Sequence, residues 1–263
     1  MKILGLIKTT GIVTKTTKYG ETSLIVTILT RAHGKISAIA SNARSKRSRM
    51  LAGLQLFSYS EIVMYKAKSK NGLYNIDEMN VLEGFNSIRS DLDKMAYAAY
   101  FADAANGATL EDESDDEVLR LLLNTLYAVD RGICNFEKIK MAFEWKLAAV
   151  LGYAPELKKC GRCGDGDGIY GLSLKDGTVF CKACVEDPKG VAELSDGMRK
   201  LIEYIIAADS KQIFSFDARV DVINYLSRLS EAYLSVQLDK QFVTLDYLKK
   251  VRQLGETDDA KKY

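Results

Sequence analysis

The sequence predicts a small β-barrel followed by an all-α region that carries an inserted four-cysteine zinc ribbon. Three observations predict this fold class. β-branched runs separated by glycine turns fill the first 80 residues, the apolar period changes to about 3.6 after residue 85, and four of the five cysteines lie between the only two prolines. We expect a barrel domain over 1–80, a helical domain over 81–254 with the ribbon at about 156–190, and a flexible tail over 255–263.

The barrel segment contains five predicted strands. Gly11 within the first strand predicts a bulge or a sharp bend. Gly34 predicts a hairpin turn, and Asn71-Gly72 predicts a type I′ turn because both residues accept positive φ. One long bent strand with four shorter ones suits an OB-like barrel, although an SH3-like barrel would give a similar pattern. The predicted strands span 5–18, 23–30, 35–40, 61–65 and 73–76.

The helices are predicted from apolar period and capping signals. Ser114 and Glu117 form a potential capping box at the start of the second helix, and Gly132 ends that helix. Asn135 caps the third helix, which runs to about residue 151 before Gly152. The other predicted helices span 91–106, 195–208 and 217–238.

The cysteines follow the pattern C-x2-C, 17 residues, C-x2-C. Cys160 and Cys163 form one pair, and Cys181 and Cys184 form the other. This spacing favours a closed four-thiolate site holding structural zinc; a redox pair and iron are the competing interpretations. Cys134 stands apart, and we interpret it as a half-buried structural residue.

The formal net charge of +2 conceals a division along the chain. Residues 1–80 carry 13 Lys or Arg and 4 Asp or Glu, a net charge of +9, whereas the rest of the chain sums to −7. A basic barrel attracts polyanions, and exposed aromatic rings can stack on bases. The alternative is an ordinary solvated basic loop. The candidate DNA-binding residues are Lys15, Lys18, Arg31, Lys35, Arg44, Lys46, Arg47 and Arg49, with extra charge from Lys66, Lys68 and Lys70; the candidate stacking rings are Tyr19, Phe57, Tyr59, Tyr65 and Tyr74.

Several other functions find little support in the sequence. The longest apolar run has eight residues, 95–102, against the ~20 needed to cross a bilayer, and Lys8 interrupts the N-terminal apolar stretch, so we expect a cytoplasmic protein. His33 is the only histidine, and it lies in a predicted turn. The acidic run 111–117 could bind magnesium, but its position at a helix start is explained first by the helix dipole.

Five short segments together form a recognisable pattern. They are Tyr19-Gly20-Glu21-Thr22, Ile28-Leu29-Thr30-Arg31-Ala32-His33-Gly34-Lys35, Asn42-Ala43-Arg44, Leu54-Gln55-Leu56-Phe57 and Leu73-Tyr74. With the helical region and the cysteine ribbon that follow, the chain resembles the RecO family of bacterial DNA repair proteins over essentially its whole length. Leu56 stands where that family usually has proline.

The resemblance implies an N-terminal OB fold, a C-terminal helical domain and a non-catalytic role in recombinational DNA repair. It implies binding to single- and double-stranded DNA, strand annealing, contact with the C-terminal tail of single-stranded DNA-binding protein, and RecA loading together with RecR near the nucleoid. The alternatives are a metal-dependent enzyme that modifies nucleic acid and a zinc-ribbon adaptor that contacts only protein.

Overall fold

The computed structural model describes residues 5–45, 48–66 and 73–259. Contacts divide the chain into two compact units. The first unit comprises the residues up to 130 together with those from 244 onward, and the second comprises 131–243. The domain boundary near residue 80 stays a prediction, as does that of the ribbon insert. Among the described residues, none of the helices has the length and apolarity that a membrane span requires.

The first five strands form a closed barrel in the order β1-β2-β3-β5-β4. The barrel closes because β1 pairs antiparallel with both β2 and β4. β3 lies parallel to β5, a neighbour relation that belongs to an OB barrel and not to an SH3-like one, so the OB-like fold is confirmed. The strands are β1 (Ile7–Tyr19), β2 (Ser23–Thr30), β3 (Gly34–Ala40), β4 (Tyr59–Lys66) and β5 (Tyr74–Glu83).

Much of the barrel core follows from the alternation of side chains along the strands. In β3, for example, Ile36, Ala38 and Ala40 point inward and are buried. The predicted irregularity of β1 exists, but it lies between Val13 and Lys15 and not at Gly11. Gly11 is needed instead for close packing, because a Cβ there would lie 2.8 Å from Cγ2 of Ile28.

Most predicted helices are present, and the predicted cap at Asn135 is confirmed. The Asp91 and Ser195 side chains accept bonds from the backbone N–H groups of Lys94 and Met198, and Asn135 accepts one from Glu137. Gly132, with φ of 62°, directly follows the helix that ends at Arg131, as predicted. The helices are α1 (Asn86–Arg89), α2 (Leu92–Ala108), α3 (Asp116–Arg131), α4 (Phe136–Val150), α5 (Asp196–Ala207), α6 (Val220–Gln237) and α7 (Val243–Asp259).

Three details of the helix prediction are wrong. The N-terminal cap of α3 is Asp115 and not Ser114, since Asp115 Oδ1 accepts from the Val118 amide at 3.0 Å. Helix α6 begins at Val220, three residues later than predicted. Helix α7 was not predicted, and it reaches residue 259, within the segment assigned to the tail.

The cysteine ribbon is a small sheet in the second unit, with strand order β6-β8-β7-β9. Its central hairpin pairs β7 with β8 through a turn at Gly177, where φ is 64°, as the sequence predicts. The strands are β6 (Glu156–Cys160), β7 (Ile169–Ser173), β8 (Thr178–Cys181) and β9 (Val191–Glu193). In the same unit, α4 and α6 pack against each other around a buried Lys140.

Candidate functional site

The four ribbon cysteines converge on one point. Their sulfur atoms all lie within 4.8 Å of one another, and Sγ of Cys163 lies 3.9 Å from Sγ of Cys181. In a tetrahedral site with Zn–S bonds of about 2.3 Å, the sulfurs are about 3.8 Å apart. Cys160 and Cys181 are buried, Cys184 is half-buried, and Cys163 is exposed. These four residues can therefore hold a tetrahedral metal ion with no position left for a substrate.

Backbone geometry around the cluster favours a thiolate at Cys160, whereas the hydrogen bond with the Cys181 thiol raises the pKa of Cys184 to about 12. Gly164 has φ of 75°, which glycine adopts without strain, and its N–H donates to the carbonyl of Cys160 at 2.9 Å. Backbone N–H groups of Cys163 and Cys181 face the Cys160 sulfur and lower the pKa of that thiol to about 6. A bound cation would hold the other three cysteines of the cluster as thiolates as well. Cys134 lies outside this cluster, and burial raises the pKa of its thiol.

Several predicted DNA-binding residues lie around the end of the barrel where β1 turns into β2. Lys15 and Lys18 are exposed on β1. Arg44 follows β3 and is held at this end, because its N–H donates to the Thr22 carbonyl at 2.8 Å and its Nη1 to the Glu21 carbonyl at 3.2 Å. Arg49 is exposed beyond a turn in which the Ser48 N–H donates to the Ser45 carbonyl. We call Lys18, Arg44 and Arg49 the basic end; Lys15 is not part of it, because it pairs with Thr27 near the middle of β2.

Arg31 and Lys35 lie at the opposite end of β2. At the rise per residue of an antiparallel strand, that end is about 20 Å from the turn between β1 and β2. Arg31 forms an ion pair with Asp116. The Lys35 ammonium donates to the carbonyls of Asn106 and Thr109 at 2.9 and 2.7 Å, where it satisfies the C-terminal end of α2. The structure therefore does not bring these two candidates next to Arg44. Lys46, Arg47, Lys68, Lys70 and the Asn71-Gly72 turn lie outside the described residues.

The aromatic candidates divide by exposure. Tyr19 is 51% exposed and lies at the end of β1, beside the turn to β2. Tyr59 and Tyr65 are half-buried. Phe57 and Tyr74 are 1% and 5% exposed, so their proposed role as stacking rings is wrong; both belong to the packed interior.

The acidic run at the start of α3 makes contacts that the sequence did not indicate. The Asp112 carboxylate accepts from the Tyr74 hydroxyl at 2.8 Å and pairs with Lys66 at 3.1 Å. Asp116 pairs with Arg31 and Arg120. These carboxylates are engaged by protein cations and not grouped around a vacant centre. His33 makes local turn contacts, with its N–H donating to the Thr30 hydroxyl.

The fold and the thiolate cluster define the class: an OB-barrel protein whose helical region contains a four-cysteine ribbon. Comparison with protein families gives the particular family. The model for "Recombination protein O N terminal" matches residues 1–85, and the model for "Recombination protein O C terminal" matches residues 89–246. The chain belongs to the recombination protein O family.

Relatives match along nearly their whole length. A protein of Acetivibrio thermocellus named DNA repair protein RecO is 36% identical over 94% of this chain and 97% of its own. Proteins with the same name from Alkaliphilus metalliredigens and Bacillus pumilus are 33% and 30% identical, over 94% and 98% of this chain and 100% and 96% of their own.

Proposed function

We propose that this protein is a non-catalytic DNA-binding protein of recombinational DNA repair. The basic end of the barrel is the observation that supports the proposal most strongly. Three exposed cations and the exposed Tyr19 ring lie around the turn between β1 and β2 of an OB barrel. OB folds hold single strands through a positive groove that follows the phosphates and through rings that stack on bases.

Phosphate contacts alone are sufficient for strand annealing. Annealing requires a surface that neutralises two like-charged strands while their base edges remain free to pair. Among the described residues, no carboxylate pairs with the cations of the basic end, and these cations are open to solvent. Lys46 and Arg47 lie between Arg44 and Arg49 in the sequence and would add two further charges to the same loop.

The family description and the relatives' names give recombination and DNA repair, and the resemblance to the RecO family adds specific partners. We propose that the protein binds single- and double-stranded DNA, engages the C-terminal tail of single-stranded DNA-binding protein, and helps to load RecA together with RecR. This activity would place the protein in the cytoplasm at the nucleoid.

Zinc is the metal we propose for the ribbon. Four thiolates in a tetrahedral arrangement are the usual donor set of structural zinc sites, and a closed site orders the chain without catalysis. The ion would bind to Cys160, Cys163, Cys181 and Cys184 and fix the two knuckles that precede and follow the central hairpin.

An annealing assay tests the proposed function. Complementary strands are coated with single-stranded DNA-binding protein, with or without its acidic tail, and the full chain is added. We expect annealing that is faster when the tail is present. A variant with Arg44, Lys46, Arg47 and Arg49 changed to glutamate should anneal poorly in both cases. The matched control, with the exposed Lys175, Lys189, Lys200 and Lys211 changed to glutamate, should resemble the unmodified protein.

Failure of the unmodified protein on both coated substrates would contradict the proposal. Cleavage of labelled DNA with Mg²⁺, abolished by substitutions within the acidic run, would favour the enzyme alternative instead. Equal loss in the two charge-reversed variants would mean that the DNA-binding surface is not the basic end.

A further inference from the structure

An acidic segment lies directly on the barrel at the turn between β2 and β3. This segment comprises residues 111–116, of which only Ser114 is not acidic. The Asp112 N–H donates to the Lys35 carbonyl at 3.1 Å, and Glu111 forms bridges with Gly34 and Lys35. A Cβ at Gly34 would lie 1.6 Å from the Glu113 carbonyl oxygen, so the two backbones are in direct contact. The segment is therefore docked on the barrel and extends its sheet locally.

Two carboxylates of the segment neutralise two barrel cations. Asp112 pairs with Lys66 at 3.1 Å, and Asp116 pairs with Nε of Arg31 at 3.2 Å. The Tyr74 hydroxyl and then Lys66 lower the pKa of Asp112, and the bond from Lys66 to Asp112 raises the pKa of the lysine. Both groups are charged at neutral pH. Arg31 and Lys66 stand within reach of one five-residue stretch of chain, a span of at most about 14 Å.

These ion pairs are open to solvent. The side chains of Lys66 and Asp112 are 51% and 49% exposed, and those of Arg31 and Asp116 are 61% and 33% exposed. Exposed pairs contribute little to folding and weaken with salt. A polyanion that reaches this end of the barrel can therefore replace the carboxylates without unfolding the protein. Lys35 stays engaged with backbone carbonyls, so it is not part of this exchange.

We propose that Arg31 and Lys66 form a second phosphate-binding surface of the barrel, which the acidic segment occupies in the absence of nucleic acid. The carboxylates of Asp112 and Asp116 stand in for two phosphates. A DNA strand that extends beyond the basic end displaces them and gains two contacts. This inference depends on the proposed function, because it assumes that the barrel binds nucleic acid.

The test measures the affinity of the full chain for a labelled single-stranded oligonucleotide across a salt series. We compare D112N/D116N with E113Q/E117Q, which changes the net charge equally in the same stretch of chain. Neither Glu113 nor Glu117 pairs with a cation in the part of the chain that the structure describes. Each neutralised phosphate adds about −0.7 to the slope of log affinity against log salt for single strands.

We expect D112N/D116N to bind several-fold more tightly than E113Q/E117Q at low salt. In the unmodified chain the displaced carboxylates keep their charge beside the phosphates, so its slope should be shallower than that of D112N/D116N by up to about 1.4, the value for two phosphates. Equal slopes and affinities in the two double variants, with salt-dependent binding by the unmodified protein, would overturn this inference alone. Absence of salt-dependent binding in all three proteins would overturn the proposed function itself. If D112N/D116N does not fold, D116N alone should still change the slope by about 0.7, and no change would overturn the inference.

Discussion

Lys140 is the one cation that is fully buried among the described residues, and carboxylates surround it. Its ammonium lies 3.0 Å from Glu144 Oε1 and 3.0 Å from Glu231 Oε2, and it donates to the Ser227 carbonyl at 3.2 Å. Burial alone favours the neutral amine, but Glu144, Glu231 and Glu137 outweigh it and raise the pKa of Lys140. The charged pair therefore joins α4 to α6 at neutral pH.

Replacing Lys140 with methionine should be strongly destabilising. The Glu144 side chain is 0% exposed and would lose its countercharge, which typically costs about 3–5 kcal/mol when one member of a buried pair is removed. Urea denaturation measures the change in the free energy of unfolding. The control Lys200→Met, at a side chain that is 69% exposed, should stay within about 0.5 kcal/mol of the unmodified protein.

The same network gives a pH dependence. Because the pKa of Lys140 is raised in the folded state, its stabilising contribution is complete below the unfolded value of about 10.4 and is lost as pH rises through the higher folded value. A small effect of K140M at neutral pH would show that the cation is not buried among carboxylates as described.

The ribbon cysteines lead to a prediction about metal content. The purified protein should contain about one zinc per chain, because one cluster of four thiols is present among the described residues. The Cys181→Ser variant should lose the metal, and its ribbon should unfold. Removing the metal from the unmodified protein with a chelator should also unfold the ribbon. Cys134→Ser is the matched control and should keep the full amount, since Cys134 lies outside the cluster. Elemental analysis together with proteolysis of the ribbon reports both effects, and equal metal content in the two variants would contradict the assignment.

At the scale of elements, the acidic segment leads directly into helix α3 and supplies its N-terminal cap. Asp115 caps the helix through the Val118 amide, while the sequence pattern favoured Ser114. Asp112, with φ of 59°, turns the chain so that its carboxylate faces Tyr74 and Lys66. The cap lies one residue later than the expected capping box.

Removing the true cap should weaken the first unit. Asp115→Ala should lower the free energy of unfolding by about 1 kcal/mol, because the Val118 N–H loses its acceptor at the helix N-terminus. Ser114→Ala should change it by less than about 0.5 kcal/mol. Thermal unfolding of the two variants distinguishes them. A larger effect of Ser114→Ala would show that Ser114 is the cap, as the capping-box pattern predicts.

Local sequence patterns predicted elements well where the signal is itself local. The cysteine spacing, the glycine turns at Gly34 and Gly177, and the Asn135 cap of α4 depend on residues close together in the chain. Helix α7 was missed because its buried residues, Leu245, Leu248 and Val251, are few and most of its remaining positions are polar.

Local sequence patterns did not predict contacts between segments that lie far apart in the chain. Tyr74 is an aromatic residue of the kind that stacks on bases, yet its ring packs in the barrel core, and its hydroxyl donates to Asp112, 38 residues later. Arg31 and Lys35 look like part of one basic surface with Arg44, but the pairing of β2 with β3 places them at the other end of the strand. Sequence composition gives the total charge of the barrel. The position of each cation at one end or the other follows only from the strand register.

For the whole molecule, the net charge of +2 is a poor guide to function. A first segment of +9 is nearly cancelled by a remainder of −7, while screening limits the reach of each charge to about 8–10 Å at physiological salt. A nucleic acid strand at the barrel therefore responds mainly to nearby cations. The barrel also carries its own acidic segment at one end, so its basic end is the part left open to a strand.

Salt dependence of single-stranded DNA binding by the full chain tests the central claim most directly. If four cations of the loop at 44–49 contact phosphates, log affinity should fall with log salt with a slope of at least about −2.8, at about −0.7 per phosphate. Reversing Arg44, Lys46, Arg47 and Arg49 should remove most of this slope for every DNA sequence, while the lysine control variant keeps it. An affinity that is independent of salt, or a slope unchanged by the reversal, would contradict the account.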